Sequence, residues 1–66
     1  MNIHHIGYLV KNIKSAIVEF KKLGFTVDKD LIFDENRIAY FSLLKKDGYT
    51  VELISPKDEK SPIYGL

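Results

Sequence analysis

The sequence predicts an α+β fold: one βαβββ module, a four-stranded mixed sheet with a single helix on one face, followed by the start of a C-terminal connector helix. Three observations carry this expectation. A short segment rich in β-formers opens the chain, one amphipathic helical pattern follows it, and three more strand-like segments come after, the last two joined by Lys45-Lys46-Asp47-Gly48. With 66 residues there is room for one small core, because a domain of this size buries only roughly 60% of its unfolded surface.

Asn2 to Val10 (NIHHIGYLV) is too short for a typical helix and reads as β1. Asn12 can cap a helix in which Ile13, Ala16, Ile17, Phe20 and Leu23 recur at helical spacing, and Gly24 is placed to stop it. From Phe25 to Phe33 the apolar Phe25, Val27, Leu31 and Phe33 alternate with Thr26, Asp28 and Asp30. Lys29 breaks the pattern and suggests an edge strand, β2. After the polar turn Asp34-Glu35-Asn36-Arg37 come β3, Ile38 to Leu44, and β4, Tyr49 to Ser55.

Two hairpin registers compete, and a slip of one residue exchanges the two faces of a strand. A two-residue Asp47-Gly48 turn puts Glu52 on the face of Ala39, Phe41 and Leu43. A three-residue Lys46-Asp47-Gly48 loop puts it with Tyr40 and Ser42. The second is favoured here because it gathers Ala39, Phe41, Leu43, Val51 and Leu53 on one apolar face that the helix can cover. Ser61-Pro62 then looks like the N-cap and first turn of a new helix that runs out at Leu66. The expected division is a module over 1–56 and a connector over 57–66, with either a longer chain that has been cut or a second half that was removed on purpose.

Composition narrows the function classes. Ten Lys and Arg against nine Asp and Glu give a net charge of +1, so no bulk electrostatic attraction to nucleic acid or membrane is expected. No apolar run approaches the roughly 20 residues that span a bilayer, and no leader pattern opens the chain, so a cytoplasmic location is the default expectation. The absence of cysteine excludes disulfides and thiolate metal sites. Small domains commonly lean on one of these supports, which leaves self-association or a non-thiolate metal.

In β1 the odd residues Ile3, His5, Gly7 and Leu9 share one face, and His4, Ile6, Tyr8 and Val10 the other. The second set suits a helix-packed face, so His5 should look out from the uncovered face, where Glu52 is also expected. An imidazole and a carboxylate on one face make half of a divalent-metal site for Mn, Co, Ni, Fe or Zn. A two-fold partner bringing the same pair would complete it. An ordinary solvated His and a solvent-facing strand Glu are the competing readings. Tyr40 and Ser42 are the candidate substrate contacts on that face, against the plainer reading as sheet-surface residues. Asp28, Asp30, Asp34 and Glu35 are candidate general bases, each more commonly a solvated acid.

The order β1, helix, β2, β3, β4, with His5-Ile6-Gly7 in the first strand, Leu23-Gly24-Phe25 ending the helix and Val51-Glu52-Leu53-Ile54-Ser55-Pro56 in the last, resembles one module of the vicinal-oxygen-chelate superfamily. That superfamily contains glyoxalase I (lactoylglutathione lyase), methylmalonyl-CoA epimerase and bleomycin-resistance-like proteins. The resemblance implies metal ligands at His5 and Glu52, none at His4, and a second βαβββ module supplied by a longer chain or by homodimerisation. It implies a metal-dependent lyase or isomerase acting on a small molecule, with metal-stabilised enolate formation and proton transfer. No general base maps onto Asp28, Asp30 or Glu35, and the 66-residue form is expected to be inactive unless dimeric. The alternatives are a metal-independent, antibiotic-sequestering protein of the same fold, and an assembly module with no ligand of its own.

Overall fold

A computed structural model describes residues 4–65, with side chains described through Ile63. Asn2 and Ile3, expected at the head of β1, and Leu66, expected at the end of the connector, lie outside the described residues. The elements are β1 (His5–Leu9), α1 (Ile13–Lys22), β2 (Thr26–Asp34), β3 (Ala39–Lys46), β4 (Tyr49–Pro56) and a 3₁₀ turn (Pro62–Gly65). The four strands form one mixed sheet in the order β1-β4-β3-β2. β1 runs parallel to β4, and the other neighbours are antiparallel. The α+β expectation holds.

Local chemistry explains the helix. Asn12 Oδ1 accepts a hydrogen bond from the Ser15 amide at 3.0 Å, covering one of the unpaired first-turn N–H groups. At the other end Gly24 takes φ +97°, which a side chain would resist. Its amide donates to the Lys21 carbonyl, and the Phe25 amide donates to the Phe20 carbonyl. This is a Schellman closure, sealed by an edge-to-face contact of the Phe20 and Phe25 rings at 5.2 Å. Leu23, expected on the buried stripe, is instead the C-cap and is 62% exposed. The helix ends before its periodicity can turn that residue inward.

Ile13 packs with Leu44, Val51 and Leu53 to form the core, bordered by Val10, Ala16, Ile17, Phe20, Phe25 and Val27. On β1, Tyr8 meets Phe20 at 5.8 Å between ring centroids, so the even residues of β1 face the helix as expected.

The favoured hairpin register is overturned. Lys46 pairs with Tyr49 and Leu43 with Glu52, and Asp47 and Gly48 take φ +51° and +81°. This is a two-residue turn with both central residues left-handed, the geometry whose twist matches the flanking strands. Leu44 and Ser42, not Leu43 and Phe41, therefore lie under the helix. Lys46 also falls on the helix side, where its ammonium donates to the Leu23 carbonyl at 2.6 Å and answers the helix C-terminus. Hydrophobic patterning misled because the more apolar side of β3, Ala39, Phe41 and Leu43, is the side α1 leaves open, while the polar Ser42 is accommodated under α1 by its hydrogen bond to the Lys29 carbonyl.

Edge strand β2 is irregular on both sides of Lys29. The Lys29 carbonyl accepts a hydrogen bond from the fully buried Ser42 hydroxyl at 2.8 Å, which satisfies both groups inside the sheet layer. In the tail, Ser61 Oγ accepts from the Ile63 amide at 3.3 Å and donates to the Arg37 carbonyl. The expected capping at Ser61 is present, and the same hydroxyl ties the tail to the β2–β3 turn.

Candidate functional site on the open sheet face

The strand order makes the site. Because β1 lies beside β4, with Gly7 opposite Glu52 and His5 opposite Thr50, the odd residues of β1 and the even residues of β4 share the face that α1 leaves open. Gly7 leaves the space beside Glu52 free of a side chain. His5 Nε2 and Glu52 Oε1 are 3.6 Å apart, with His5 59% exposed and Glu52 only 16% exposed. Both sequence-derived ligand candidates thus meet on one surface.

Glu52 has a second partner that sequence reasoning missed. Arg37 Nη2 donates to Glu52 Oε2 at 3.0 Å, and Arg37 Nε donates to Asp34 Oδ2 at 2.7 Å. Asp34 Oδ1 meanwhile accepts from the amides of Asn36 and Arg37, closing the turn. The guanidinium lies 5.1 Å from the centroid of the Phe41 ring, a cation–π contact. Asp34, Arg37, Glu52 and His5 therefore form one chain of alternating acids and bases. The hydrogen bond from Arg37 holds the Asp34 carboxyl below its ordinary value, assisted by the two amides and opposed by desolvation. Glu52 first, then Asp34, raises the Arg37 guanidinium above its ordinary value. The available signal was an Asp three residues before an Arg, which reads as a turn. That the Arg reaches β4 depends on the hairpin register.

The register also relocates the other candidates. Tyr40 and Ser42 lie on the face opposite Glu52, a correction to the expected grouping. Ser42 has no exposed surface, and Tyr40 packs its ring 5.1 Å from Phe33. Asp28 and Asp30 sit on edge strand β2, separated from β4 by β3. Asp28 pairs with Lys45 at 3.6 Å, and Asp30 accepts from the Leu31 amide.

A nitrogen and an oxygen ligand each about 2.1 Å from one ion stand roughly 3.0–3.4 Å apart in octahedral or tetrahedral geometry. The 3.6 Å separation needs only a small adjustment, so this pair fits as part of a donor set. Among the described residues no group of three or more His, Cys, Asp or Glu side chains comes together.

An open βαβββ layer with a His and a carboxylate on adjacent parallel strands defines a class of protein module. Residues 4–65 match the model of the Glyoxalase/Bleomycin resistance protein/Dioxygenase superfamily, and the chain belongs to that superfamily. Among solved structures it is similar in fold to a hypothetical protein, BH1468 from Bacillus halodurans C-125, with a TM-score of 0.82 and 23% identity. The match covers 97% of this chain and 46% of that one, so the chain spans about half the length of this structural relative. No curated protein gives a significant match. Among the described residues no helix is long and apolar enough to cross a membrane.

Proposed function

We propose that this chain is the N-terminal half of a metal-dependent lyase or isomerase of the glyoxalase or methylmalonyl-CoA epimerase type, active once a second βαβββ module completes its site. The single observation that carries this reading is the meeting of His5 Nε2 and Glu52 Oε1 at 3.6 Å on the open face. The 46% coverage of the BH1468 relative supports a missing second module, from a longer chain or a second copy.

In this reading His5 and Glu52 hold a divalent ion, one of Ni, Co, Mn, Fe or Zn, with positions left open for a small substrate. Such an ion supplies Lewis-acid polarisation of the substrate oxygens. His5 offers Nε2 and Glu52 offers Oε1, while Arg37 keeps the second carboxylate oxygen occupied. The general base is assigned to the second module, since Asp28 and Asp30 sit on β2, beyond β3 from β4, and Asp34 is engaged by Arg37.

Calorimetric titration with Ni²⁺ or Co²⁺ tests the reading. Wild-type protein is expected to bind, and the His5→Ala, Glu52→Ala double variant is expected to lose at least about tenfold in affinity, the lower end of what losing even an outer-shell partner costs. Equal binding by both proteins would sink the ligand assignment.

One observation favours a second reading. Arg37 already holds one oxygen of Glu52 at 3.0 Å, with His5 3.6 Å from the other, and the Arg37 contact needs no ion. A metal-independent small-molecule-binding protein, of the antibiotic-resistance kind, would use the open face in that form. Binding of bleomycin that persists in chelator would select it.

A further inference from the structure

We propose that Arg37 is a positioning residue that limits Glu52 to a single donor oxygen and thereby sets the ion preference of the His5–Glu52 pair. The inference rests on the ligand reading above and extends it to selectivity. The guanidinium is held on three sides: by Asp34 at 2.7 Å, by Glu52 at 3.0 Å and by the Phe41 ring. Its own backbone carbonyl is held by the Ser61 hydroxyl, and its side chain is only 33% exposed. A group pinned from so many directions cannot easily follow Glu52 into another rotamer. Glu52 must instead accept the position Arg37 dictates, with Oε2 bonded and Oε1 turned toward His5.

The chemical consequence concerns coordination number. Ca²⁺ takes six to eight oxygen ligands and gains from bidentate carboxylates. Ni²⁺, Co²⁺ and Zn²⁺ accept one imidazole nitrogen and one carboxylate oxygen. With Oε2 occupied, Glu52 serves the second group and penalises the first. Charge repulsion from Arg37 weakens all divalent ions alike, so it cancels in the ratio of two dications, whereas the donor count does not.

The test compares Ni²⁺ with Ca²⁺ binding in wild type, Arg37→Ala and Arg37→Lys. The lysine variant keeps the charge but loses the planar fork, and it guards against a fold defect in the alanine variant. Wild type is expected to prefer Ni²⁺, and both variants to narrow the Ni²⁺/Ca²⁺ affinity ratio by about tenfold, the scale seen when ligand-orienting partners are lost. An unchanged ratio in both variants overturns the selectivity claim. In metal-free protein, ¹³C relaxation of the Glu52 methylenes separates this claim from the ligand reading. Wild type should show restricted motion that loosens in Arg37→Ala to the level of exposed Glu19. Equal order in the two proteins overturns the positioning role whether or not an ion binds, while absence of ion binding to wild type overturns the ligand reading and the selectivity with it.

Discussion

At the scale of single residues, the Asp34–Arg37–Glu52–His5 chain gives the open face its chemistry, and its pH dependence has a definite sign. Asp34 has a lower proton affinity in the folded chain than in the unfolded one. The unfolded state therefore binds more protons through the window between the two values, and stability rises with pH there. The contribution is fully present above the ordinary aspartate range, about pH 4, and is lost as pH falls through the folded value. Asp34→Asn should lower the urea midpoint at neutral pH, and the difference from wild type should vanish in acid. Because the pair is on the surface, added salt should shrink it too. A second residue-scale expectation concerns Ser42. Ser42→Ala leaves the Lys29 carbonyl without its buried donor and should cost about 1–3 kcal/mol in urea unfolding, the penalty for an unpaired buried polar group.

Elements answer to different forces. The helix is specified almost entirely by neighbours in the chain: Asn12 opens it, Gly24 closes it, and its apolar stripe meets the sheet. Asn12→Ala should cost about 1 kcal/mol. The β3–β4 hairpin instead hinges on two left-handed residues, Asp47 and Gly48. Gly48→Ala should destabilise by roughly 1 kcal/mol through backbone strain alone, since no atom stands within 4 Å of an added Cβ. The register itself is open to a paired test. Leu44 is fully buried under α1, whereas Leu43 lies on the open face opposite Glu52. Leu44→Ala should cost about 2–5 kcal/mol, and Leu43→Ala far less in the isolated chain. A reversal of that order in chemical denaturation would restore the three-residue loop.

For the whole molecule, one helix covers one face of a four-stranded sheet, and the extents of 34 × 30 × 15 Å are those of a thin slab. Phe41, Leu43, Ile54 and Leu9 are left on the uncovered side beside His5 and Glu52. A second module laid on that side would bury them and bring a second pair of donors. If two copies of this chain do so, mass action makes stability depend on concentration. The thermal midpoint should rise with protein concentration, and Leu43→Lys should abolish that dependence without unfolding the monomer. Sedimentation equilibrium on both proteins provides the independent check.

How much of this was legible beforehand follows from the range of the forces involved. Element order, the Asn12 and Gly24 caps and the two faces of β1 and β4 could be read from the sequence. Each is set within a few residues, by capping hydrogen bonds, by left-handed glycine and by the two-residue alternation of a strand. The placement of His5 and Glu52 on the uncovered side came from that same alternation. The faces of β3 were misread, because its more apolar side, Ala39, Phe41 and Leu43, is the one the helix leaves open, and the choice fell to the backbone twist of the Asp47-Gly48 turn. The closeness of His5 to Glu52 required β1 to lie beside β4, and the hold of Arg37 on Glu52 required the hairpin register and the Asp34 turn together. Those are contacts between residues far apart in sequence, and only the folded sheet decides them.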